Sequence, residues 1–482
     1  MVAFTKAPSQ NTYQTRDIKL LNALRNRDAV GDKDTIALNG FFDLLKDRST
    51  EEKDYFFVKR DGTVKFAYEV PTGPVRGMFY WEEKDKLFVA YQDKIAICTA
   101  STGALITTVT PFTSTSGDVG FTEFYYDTGD TKIVAADGSK LITIDDSNTV
   151  VTGSDPDMPT TFSPHTVFLD GYLFMFKEGT SDIYNSNLND PLAYTAGDYI
   201  TAEMVADKLL RLVRLNNYIV AFGTNSMEYF YDAANASGSP LARVEIPIKN
   251  IGFLGGVAHK GNKIFFVGQT TETGPEVFAI EDWKIEPMDS PPIRRYLRPG
   301  GQIYGAIVSI GGYDFYVLTL GSITYAMSLE NRTWTRLAFK QTTNFPIFRA
   351  VNVLTANGHV SMVALSSGTA LYSLVPTVYQ DDGENFTVKV QTFKTIFDSF
   401  HRKFASRLMI IGDRANAGTA QISWTDDDYQ TYSTARDVDL SQVRPCIYRM
   451  GDFRERAFKM EYTQNKPLRV DHFEFDFNIG SK

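Results

Sequence analysis

A repeating pattern of short strands, which starts near residue 54, constrains the fold of this chain more than any other feature of its sequence. Apolar or alternating runs of about five to eight residues are separated by turns rich in Gly, Asn and Asp. The runs group into units of roughly 40 to 50 residues, which is the repeat length of a propeller blade. An apolar strand, a Gly or Asn turn and an aromatic strand recur together at 167–174, 257–266 and 307–316.

Residues 51–380 contain about six or seven such units, so we predict a β-propeller of about six or seven blades. The prediction rests on spacing, because neither the WD nor the kelch blade motif is present. Two stacked β-sandwiches with the same strand content are the alternative. At the start of the region, Tyr55–Lys59 and Val64–Tyr68 flank Arg60-Asp61-Gly62, which predicts a β-hairpin.

A polar, turn-rich stretch at Tyr379–Glu384 predicts a domain boundary, after which residues 381–482 again have the pattern of strands. Phe473, Phe475 and Phe477 alternate with polar residues, which indicates a half-buried strand. One domain of this length with long strands is most simply a jelly-roll-like β-sandwich. The predicted fold class is therefore all-β, a propeller followed by a C-terminal sandwich.

Residues 1–50 lie outside the strand pattern, and we predict that they form an N-terminal arm and docking segment. Ile18–Asn26 has the spacing of a helix with an apolar stripe that a lone short helix cannot bury. Packing of the segment against the chain's own propeller is the alternative. On the docking interpretation, deletion of residues 1–36 leaves a folded monomer that does not assemble. The candidate partner-binding residues of this segment are Leu20, Leu21, Leu24, Phe41 and Phe42.

The charge balance argues against a protein that grips nucleic acid. The chain has 49 Lys and Arg against 58 Asp and Glu, a net charge of −9. Proteins that bind DNA through its phosphates usually carry a basic face, whereas an acidic surface lets DNA pass without binding. Two cysteines exclude a disulfide framework, and we expect Cys98 and Cys446 to be buried thiols. No stretch approaches about 18 apolar residues, and the first 19 residues lack an apolar core typical of a signal peptide, so no membrane span is expected.

The sequence offers no recognisable catalytic constellation. No HExxH motif, Gly-x-Ser-x-Gly elbow or P-loop occurs, and the sequence pattern identifies no pair of carboxylates suited to glycoside hydrolysis. Acidic turns at 145–148 and 154–157 do not match a twelve-residue calcium loop. We therefore predict no enzyme activity, no cofactor and no metal. The five histidines are isolated from one another, at His165, His259, His359, His401 and His472.

Two further motifs have both a functional and a structural interpretation. Ser423–Tyr432 resembles the Asp-box turn of sialidase propellers, although Tyr429 replaces its Gly, and that turn is itself structural. A basic cluster lies between Pro291-Pro292 and Pro299, where it could meet an acidic partner or form a solvated loop. The arginines of this cluster are Arg294, Arg295 and Arg298.

Several segments resemble the tail-hub, or packaged-DNA-stabilisation, proteins of short-tailed bacteriophages. Ile219–Phe230 is similar to that family's strand, Gly-Ser/Thr-rich turn and Met-Glu-Tyr-Phe strand, and Ala233–Pro240 supplies the small-residue loop that follows. Lys249–Gly256 is similar to the family's Lys-x-Gly-x-x-Gly stretch. The opening, through Leu38–Phe42, and the closing strands, through Phe473–Phe477, also look like the family's, but the Pro-Gly that often follows its opening is missing after Phe42.

The resemblance implies a propeller plus a β-sandwich that assembles into a ring, of about six copies, below the portal and its adaptor. Such a hub would continue the DNA channel, help retain packaged DNA without binding it specifically, and anchor the tail needle, tailspikes or fibres. It would reside in the virion tail after assembly in the host cytoplasm. A β-propeller glycan-active enzyme or carbohydrate-binding protein is the alternative function.

Overall fold

The protein is described by a computed structural model that covers residues 13–20, 35–44 and 55–480. Within the last range the structure does not describe residues 204, 206, 246–249, 282, 289–290, 295, 298–300, 322, 343–344, 356–357, 398 and 415–417.

The elements are almost all strands. Before the repeat, the described residues form four: β1 (Tyr13–Lys19), β2 (Ile36–Leu38), β3 (Gly40–Leu44) and β4 (Tyr55–Lys59). The repeat contains β5 (Gly62–Glu69), β6 (Val75–Trp81), β7 (Lys86–Tyr91), β8 (Lys94–Thr99), β9 (Leu105–Val109), β10 (Gly120–Tyr125), β11 (Thr131–Ala136), β12 (Leu141–Ile144), β13 (Val150–Thr152), β14 (Val167–Leu169), β15 (Tyr172–Phe176), β16 (Asp182–Asn185), β17 (Tyr199–Thr201), β18 (Leu209–Leu215), β19 (Tyr218–Gly223), β20 (Met227–Asp232), β21 (Leu241–Arg243), β22 (Gly252–Lys260), β23 (Lys263–Gln269), β24 (Pro275–Glu281), β25 (Lys284–Pro287), β26 (Ile303–Ile310), β27 (Tyr313–Leu320), β28 (Ile323–Ser328), β29 (Trp334–Leu337), β30 (Ile347–Thr355), β31 (Gly358–Leu365) and β32 (Ala370–Val375). The C-terminal part contains β33 (Val388–Gln391), β34 (Lys403–Gly412), β35 (Thr419–Thr425), β36 (Arg436–Asp439), β37 (Cys446–Tyr448), β38 (Asp452–Phe453), β39 (Ala457–Tyr462) and β40 (Arg469–Ile479). A 3-10 helix (Glu82–Lys84) follows β6, and a one-turn helix, α1 (Pro291–Arg294), follows β25.

The repeat forms seven four-stranded antiparallel blades. Six use consecutive strands, β6–β9, β10–β13, β14–β17, β18–β21, β22–β25 and β26–β29, and the seventh combines β30, β31 and β32 with β5. Successive blades contact one another around a ring, which closes where β30 packs against β6. The predicted propeller of about six or seven blades is confirmed, and the topology has seven.

The ring is closed by a strand from before the first blade. β5 pairs with β32, and Thr63 lies opposite Leu374, so residues more than 300 positions apart share one blade. The predicted hairpin across Arg60-Asp61-Gly62 is therefore wrong, because β4 pairs with β3 and β40 in the C-terminal domain instead. The turn signal was real, but the partners of the two strands are set by long-range packing, which local sequence does not contain.

The first strand of each blade, β6, β10, β14, β18, β22, β26 or β30, is its inner strand. Close contact between neighbouring inner strands depends on glycine at particular positions. A Cβ on Gly305, in β26, would lie 2.0 Å from the carbonyl oxygen of Gly256 in the preceding blade. A Cβ on Gly120, in β10, would lie 2.0 Å from the carbonyl oxygen of Pro164, which precedes the next blade. Backbone atoms cannot move aside as a flexible side chain does, so the blades would have to separate.

We expect Gly305→Ala to lower the free energy of unfolding by about 1–3 kcal/mol, because the new methyl group overpacks the contact between two blades. Gly274→Ala is the matched control, since nothing lies within 4 Å of its Cβ position. It should change stability by at most about 0.5 kcal/mol. Urea unfolding of both variants measures the difference, and equal stabilities would contradict this account of blade packing.

The C-terminal domain is a sandwich of two sheets around one apolar core. One sheet has the order β3-β4-β40-β34-β37, with β1 paired to β40, and the other has the order β2-β33-β39-β35-β36. The second sheet continues into the sixth blade, because β2 also pairs with β29. Phe475 and Phe477 of β40 are fully buried in the shared core, as their alternation predicts.

The N-terminal segment is part of this sandwich where the structure describes it. The predicted helix is wrong at its start, because Ile18 and Lys19 belong to β1, which pairs along β40 over seven residues. Ile18 is buried in the sandwich core, and the rest of the predicted helix beyond Leu20 lies outside the described residues. The proposed domain limits change accordingly: strands of 13–44 and β4 belong to the sandwich, and the propeller begins at Gly62. Deleting residues 1–36 would remove a sandwich strand, so that deletion does not separate docking from folding.

The two cysteines are free thiols with different environments. Cys98 is fully buried in β8, as predicted, and burial raises the pKa of its thiol to about 12. The prediction is wrong for Cys446, which is partly exposed and donates to the hydroxyl oxygen of Tyr448 at 3.1 Å. The alternation of β37 points Cys446 and Tyr448 to the same face of the sheet, away from buried Ile447.

Candidate functional site: the domain junction and the propeller channel

The chain crosses from the sandwich to the propeller at Arg60, whose side chain is 1% exposed. Its Nη atoms donate to both carboxylate oxygens of Asp381, at 2.6 and 3.0 Å. The remaining guanidinium N–H groups donate to Asn39 Oδ1 and to the backbone carbonyls of Asp61 and Ala338. All five guanidinium donors are therefore satisfied, which is the condition under which a buried charge is tolerated.

Asp381 lies on the second crossing, where the chain returns from the propeller to the sandwich. Its side chain is fully buried, and it accepts further hydrogen bonds from Thr63 Oγ1 at 3.2 Å and from the backbone N–H of Lys340 at 2.8 Å. The ring centroid of Phe386 lies 3.9 Å from the guanidinium carbon of Arg60. The Arg60–Asp381 pair thus joins the two crossings to each other and to the last two blades.

Lys59 occupies a second polar site at the junction. Its Nζ donates to the carbonyl oxygens of Tyr379 at 2.9 Å and Gln464 at 2.7 Å, and the ring centroid of Phe386 is 4.3 Å away. Burial, with the neighbouring charge of Arg60, lowers the pKa of Lys59 to about 7. The folded protein therefore holds this proton less tightly than the unfolded chain does.

This pKa shift predicts how stability depends on pH. Between pH 7 and about 10.5 the unfolded chain binds more protons at Lys59 than the folded chain, so stability should rise with pH across that window. Lys59→Met removes this contribution, and its free energy of unfolding should rise less steeply from pH 7 to 9.5 than that of the wild type. Lys65→Met, at a side chain 43% exposed, is the control and should keep the wild-type slope. Identical slopes for the wild type and Lys59→Met would show that Lys59 keeps an ordinary pKa.

The apolar residues proposed for docking are buried within this chain where they are described. Leu20 and Phe42 lie in the sandwich core, at 2% and 4% exposure. Phe41 packs against Tyr313 and Phe315 of the sixth blade, with ring centroids 5.6 and 5.3 Å apart. These three side chains are not free to contact a partner in this conformation. The other two proposed residues, Leu21 and Leu24, lie outside the described residues.

The proposed arginine cluster is described only in part. Arg294 ends α1, and its side chain is 51% exposed while pairing with Glu276 at 2.9 Å on the same chain. Arg295 and Arg298 lie outside the described residues. Binding of an acidic partner by this cluster stays a prediction.

The Asp-box-like segment forms a structural turn in the sandwich. Asp427 Oδ1 accepts hydrogen bonds from the backbone N–H groups of Gln430 and Thr431 at 3.1 and 2.9 Å. Hydrogen bonds, first that from the Thr431 hydroxyl, lower the pKa of Asp427 to about 2. Tyr429 has a φ of 65°, a left-handed conformation that explains why the motif usually has Gly there. Its side chain is buried, and its hydroxyl donates to the carbonyl of Thr392 at 3.2 Å.

The inner strands of the propeller, together with the loop before β14, enclose a channel cavity of about 900 Å³ to which all seven blades contribute. Asp118 lies there between Arg349 Nη2, which contacts Oδ1, and His165 Nε2, which is 3.3 Å from Oδ2. Burial alone would raise the pKa of Asp118, but the His165 hydrogen bond and the Arg349 charge bring it to about 2. Burial lowers the pKa of His165 to about 4, so this histidine is neutral at pH 7. Arg211 lines the same cavity.

Comparison with known proteins identifies the family. The family model Phage_stabilise, described as Bacteriophage P22 Gp10, beta-propeller, matches residues 46–378, which is more than half of the chain. The chain belongs to this family. The resemblance to the packaged-DNA-stabilisation proteins is thereby confirmed, and the protein is a structural, head-completion or stabilisation protein of a bacteriophage rather than a member of an enzyme family.

Alignments with solved structures are weak. The N-terminal domain of Nup159 aligns with a TM-score of 0.43 and 11% identity, over 70% of this chain and 99% of that one. The computationally designed Ika8 protein aligns with a TM-score of 0.41 and 8% identity, over 65% of this chain and 100% of that one. Scores this low carry no argument about this chain. No curated protein matches the sequence significantly.

The described part of the chain lacks two kinds of feature. No group of three or more His, Cys, Asp or Glu side chains there is arranged to hold a metal ion. None of the helices described there has the length and apolar character needed to cross a membrane.

Proposed function

We propose that this protein is the tail hub, or nozzle, of a short-tailed phage virion. It forms a ring of about six copies below the portal and its adaptor, continues the DNA channel and helps retain the packaged genome. It also anchors the tail needle, tailspikes or fibres, and it is assembled in the host cytoplasm before it resides in the virion tail. The family membership supports this role at the level of a phage structural protein.

The observation that carries the proposal is the junction around Arg60 and Asp381. Two crossings of the chain are held by one buried, bidentate ion pair, and β2 joins a sandwich sheet to the sixth blade. An interface tied in this way resists hinge motion, which suits a component that holds other proteins in place under the pressure of packaged DNA. Hinged two-domain enzymes instead depend on few and weak contacts between domains.

DNA would pass through the ring of subunits and not through the propeller itself. The cavity of about 900 Å³ in the propeller channel has the size of a small-molecule site. The net charge of −9 favours passage of DNA past the hub without retention on its surface. For the glycan-active alternative, Asp118 is excluded as the general acid, because Arg349 and His165 hold it ionised and it cannot donate a proton at neutral pH.

The test is genetic and physical. Phage carrying a stop codon in the gene for this protein should package DNA but yield particles that lose it, and supplying the protein in trans should restore retention. Nuclease-resistant DNA per particle is the measurement. Particles without the protein that retain their DNA and infect at the normal level would contradict the proposal.

A further inference from the structure

The inner strands of the propeller are irregular next to the channel cavity. A β-bulge adds a residue to one strand, bends it and changes the direction of a side chain, and such bulges are frequent at functional sites. Four of the seven inner strands, β6, β18, β22 and β30, have one there. The irregularities lie between Val75 and Gly77, Leu209 and Arg211, Phe253 and Gly255, and Ile347 and Arg349. Two of them therefore deliver an arginine to the cavity.

The two arginines differ in their partners. Arg349 pairs with Asp118, and its Nε donates to the carbonyl oxygen of Arg76 at 3.2 Å. Arg211 has no carboxylate within ion-pair distance among the described residues, and its Nε is shielded from solvent without a hydrogen-bond acceptor. A buried charged donor without a partner is unfavourable by more than an ordinary hydrogen bond is favourable. Asp118 is near enough to favour the charged form of Arg211, but Arg211 lacks the direct ion pair that Arg349 makes with this carboxylate.

The charges of the residues around the cavity also favour binding of an anion. Among the described residues, Arg211, Arg349 and Lys208 line the cavity with two carboxylates, Asp118 and Glu178, which leaves one positive charge in excess there within a chain of net charge −9. Burial and the charge of Arg211 lower the pKa of His259, which lies beside this arginine, so the neutral form of that histidine is favoured. A planar guanidinium binds two oxygens of a carboxylate or phosphate side by side.

We propose that Arg211 anchors a binding site in the propeller channel for a small molecule that carries a phosphate or carboxylate group. The cavity of about 900 Å³ accommodates an organic ligand as well as the bare ion. Apolar neighbours such as Met78, Phe253 and Ile303 line the remainder and would contact the body of such a ligand. This site is independent of the hub assignment and requires only the propeller.

The test uses the full chain and titrates sodium phosphate, sodium acetate and sodium chloride at matched ionic strength, with binding measured by calorimetry and by thermal unfolding. Phosphate, acetate or both should bind the wild type saturably and raise its Tm, whereas chloride should not. Saturation by phosphate alone identifies a phosphoryl ligand, and saturation by acetate alone identifies a carboxylate ligand. Arg211→Met should weaken binding at least about tenfold, the effect of losing one bidentate pair.

Two further variants separate this proposal from a general salt effect. Arg332→Met removes an arginine that is 59% exposed and should bind as the wild type does. Arg211→Lys keeps the positive charge but loses the planar guanidinium that binds two oxygens side by side, so this variant should bind the oxyanion with intermediate affinity. Non-saturable behaviour of the wild type with both oxyanions below about 10 mM, or equal binding by the wild type and a folded Arg211→Met variant, overturns the proposal.

Discussion

Replacing Arg60 with methionine is expected to lower the free energy of unfolding by about 3–5 kcal/mol. The substitution keeps an apolar side chain of similar length over Phe386 but leaves Asp381 buried without its cation. Asp381→Asn should have an effect of similar size, because it leaves the guanidinium without a counter-charge. Equilibrium unfolding in urea measures both changes, and a calorimetric transition that splits in two would show that the domains have been uncoupled.

Arg332→Met is the matched control for the junction. Arg332 also pairs with a carboxylate, that of Glu286 at 3.1 Å, but both side chains are more than half exposed. Such pairs are worth at most about 1 kcal/mol. The double variant Arg60→Met with Asp381→Leu should be more stable than the sum of the single changes predicts, since no buried charge remains. Additive losses of unfolding free energy, or a loss for Arg60→Met no larger than that for Arg332→Met, would contradict the proposal that the Arg60–Asp381 pair holds the two domains together.

Phe475→Ala is expected to destabilise the protein by about 3–5 kcal/mol. Phe475 is fully buried in the sandwich, and its ring centroid lies 5.1 to 5.6 Å from those of four other phenylalanines. The substitution removes these contacts and leaves a cavity that the two sheets cannot close. These neighbours are Phe397, Phe453, Phe458 and Phe477.

Phe404→Ala is the control for this substitution. Phe404 lies in β34, the strand beside β40, but it is 48% exposed. The same chemical change should cost less than about 1 kcal/mol there, because little area leaves water on folding. Similar losses for the two variants, measured by urea unfolding, would mean that the sandwich core does not have the packing described above.

The propeller could be predicted from the sequence because each blade is a local unit. The strands of one blade follow one another in the chain with short turns, so spacing and alternation contain most of the information. Its closure could not be predicted, since the pairing of Thr63 with Leu374 joins distant positions. The same holds for the sandwich, in which β1 and β4 pair with β40 at the other end of the chain.

The junction was missed for a related reason. Phe41 and Phe42 suggested one exposed apolar surface, but neighbours in a strand point to opposite faces. Phe41 therefore packs on the sixth blade and Phe42 in the sandwich, so the pair joins the two domains. Arg60 and Asp381 are ordinary surface types in the sequence, and no local signal marks them as buried.

The channel arginines illustrate a weaker but usable signal. Arg211 interrupts an otherwise apolar stretch, Leu209–Val213, of an inner strand. A charged residue within such a strand indicates either a bulge or a polar partner, and the structure has the bulge. The direction of the side chain into a channel follows only from the arrangement of seven blades around one axis.

Cryo-electron microscopy of purified virions of the phage that encodes this protein tests the hub assignment most directly. The account predicts a closed ring of copies of this propeller and sandwich on the tail axis, below the portal and adaptor, with the DNA channel running between subunits and not through any propeller. Absence of the protein from the virion, or its placement on the capsid away from the tail vertex, would contradict the account.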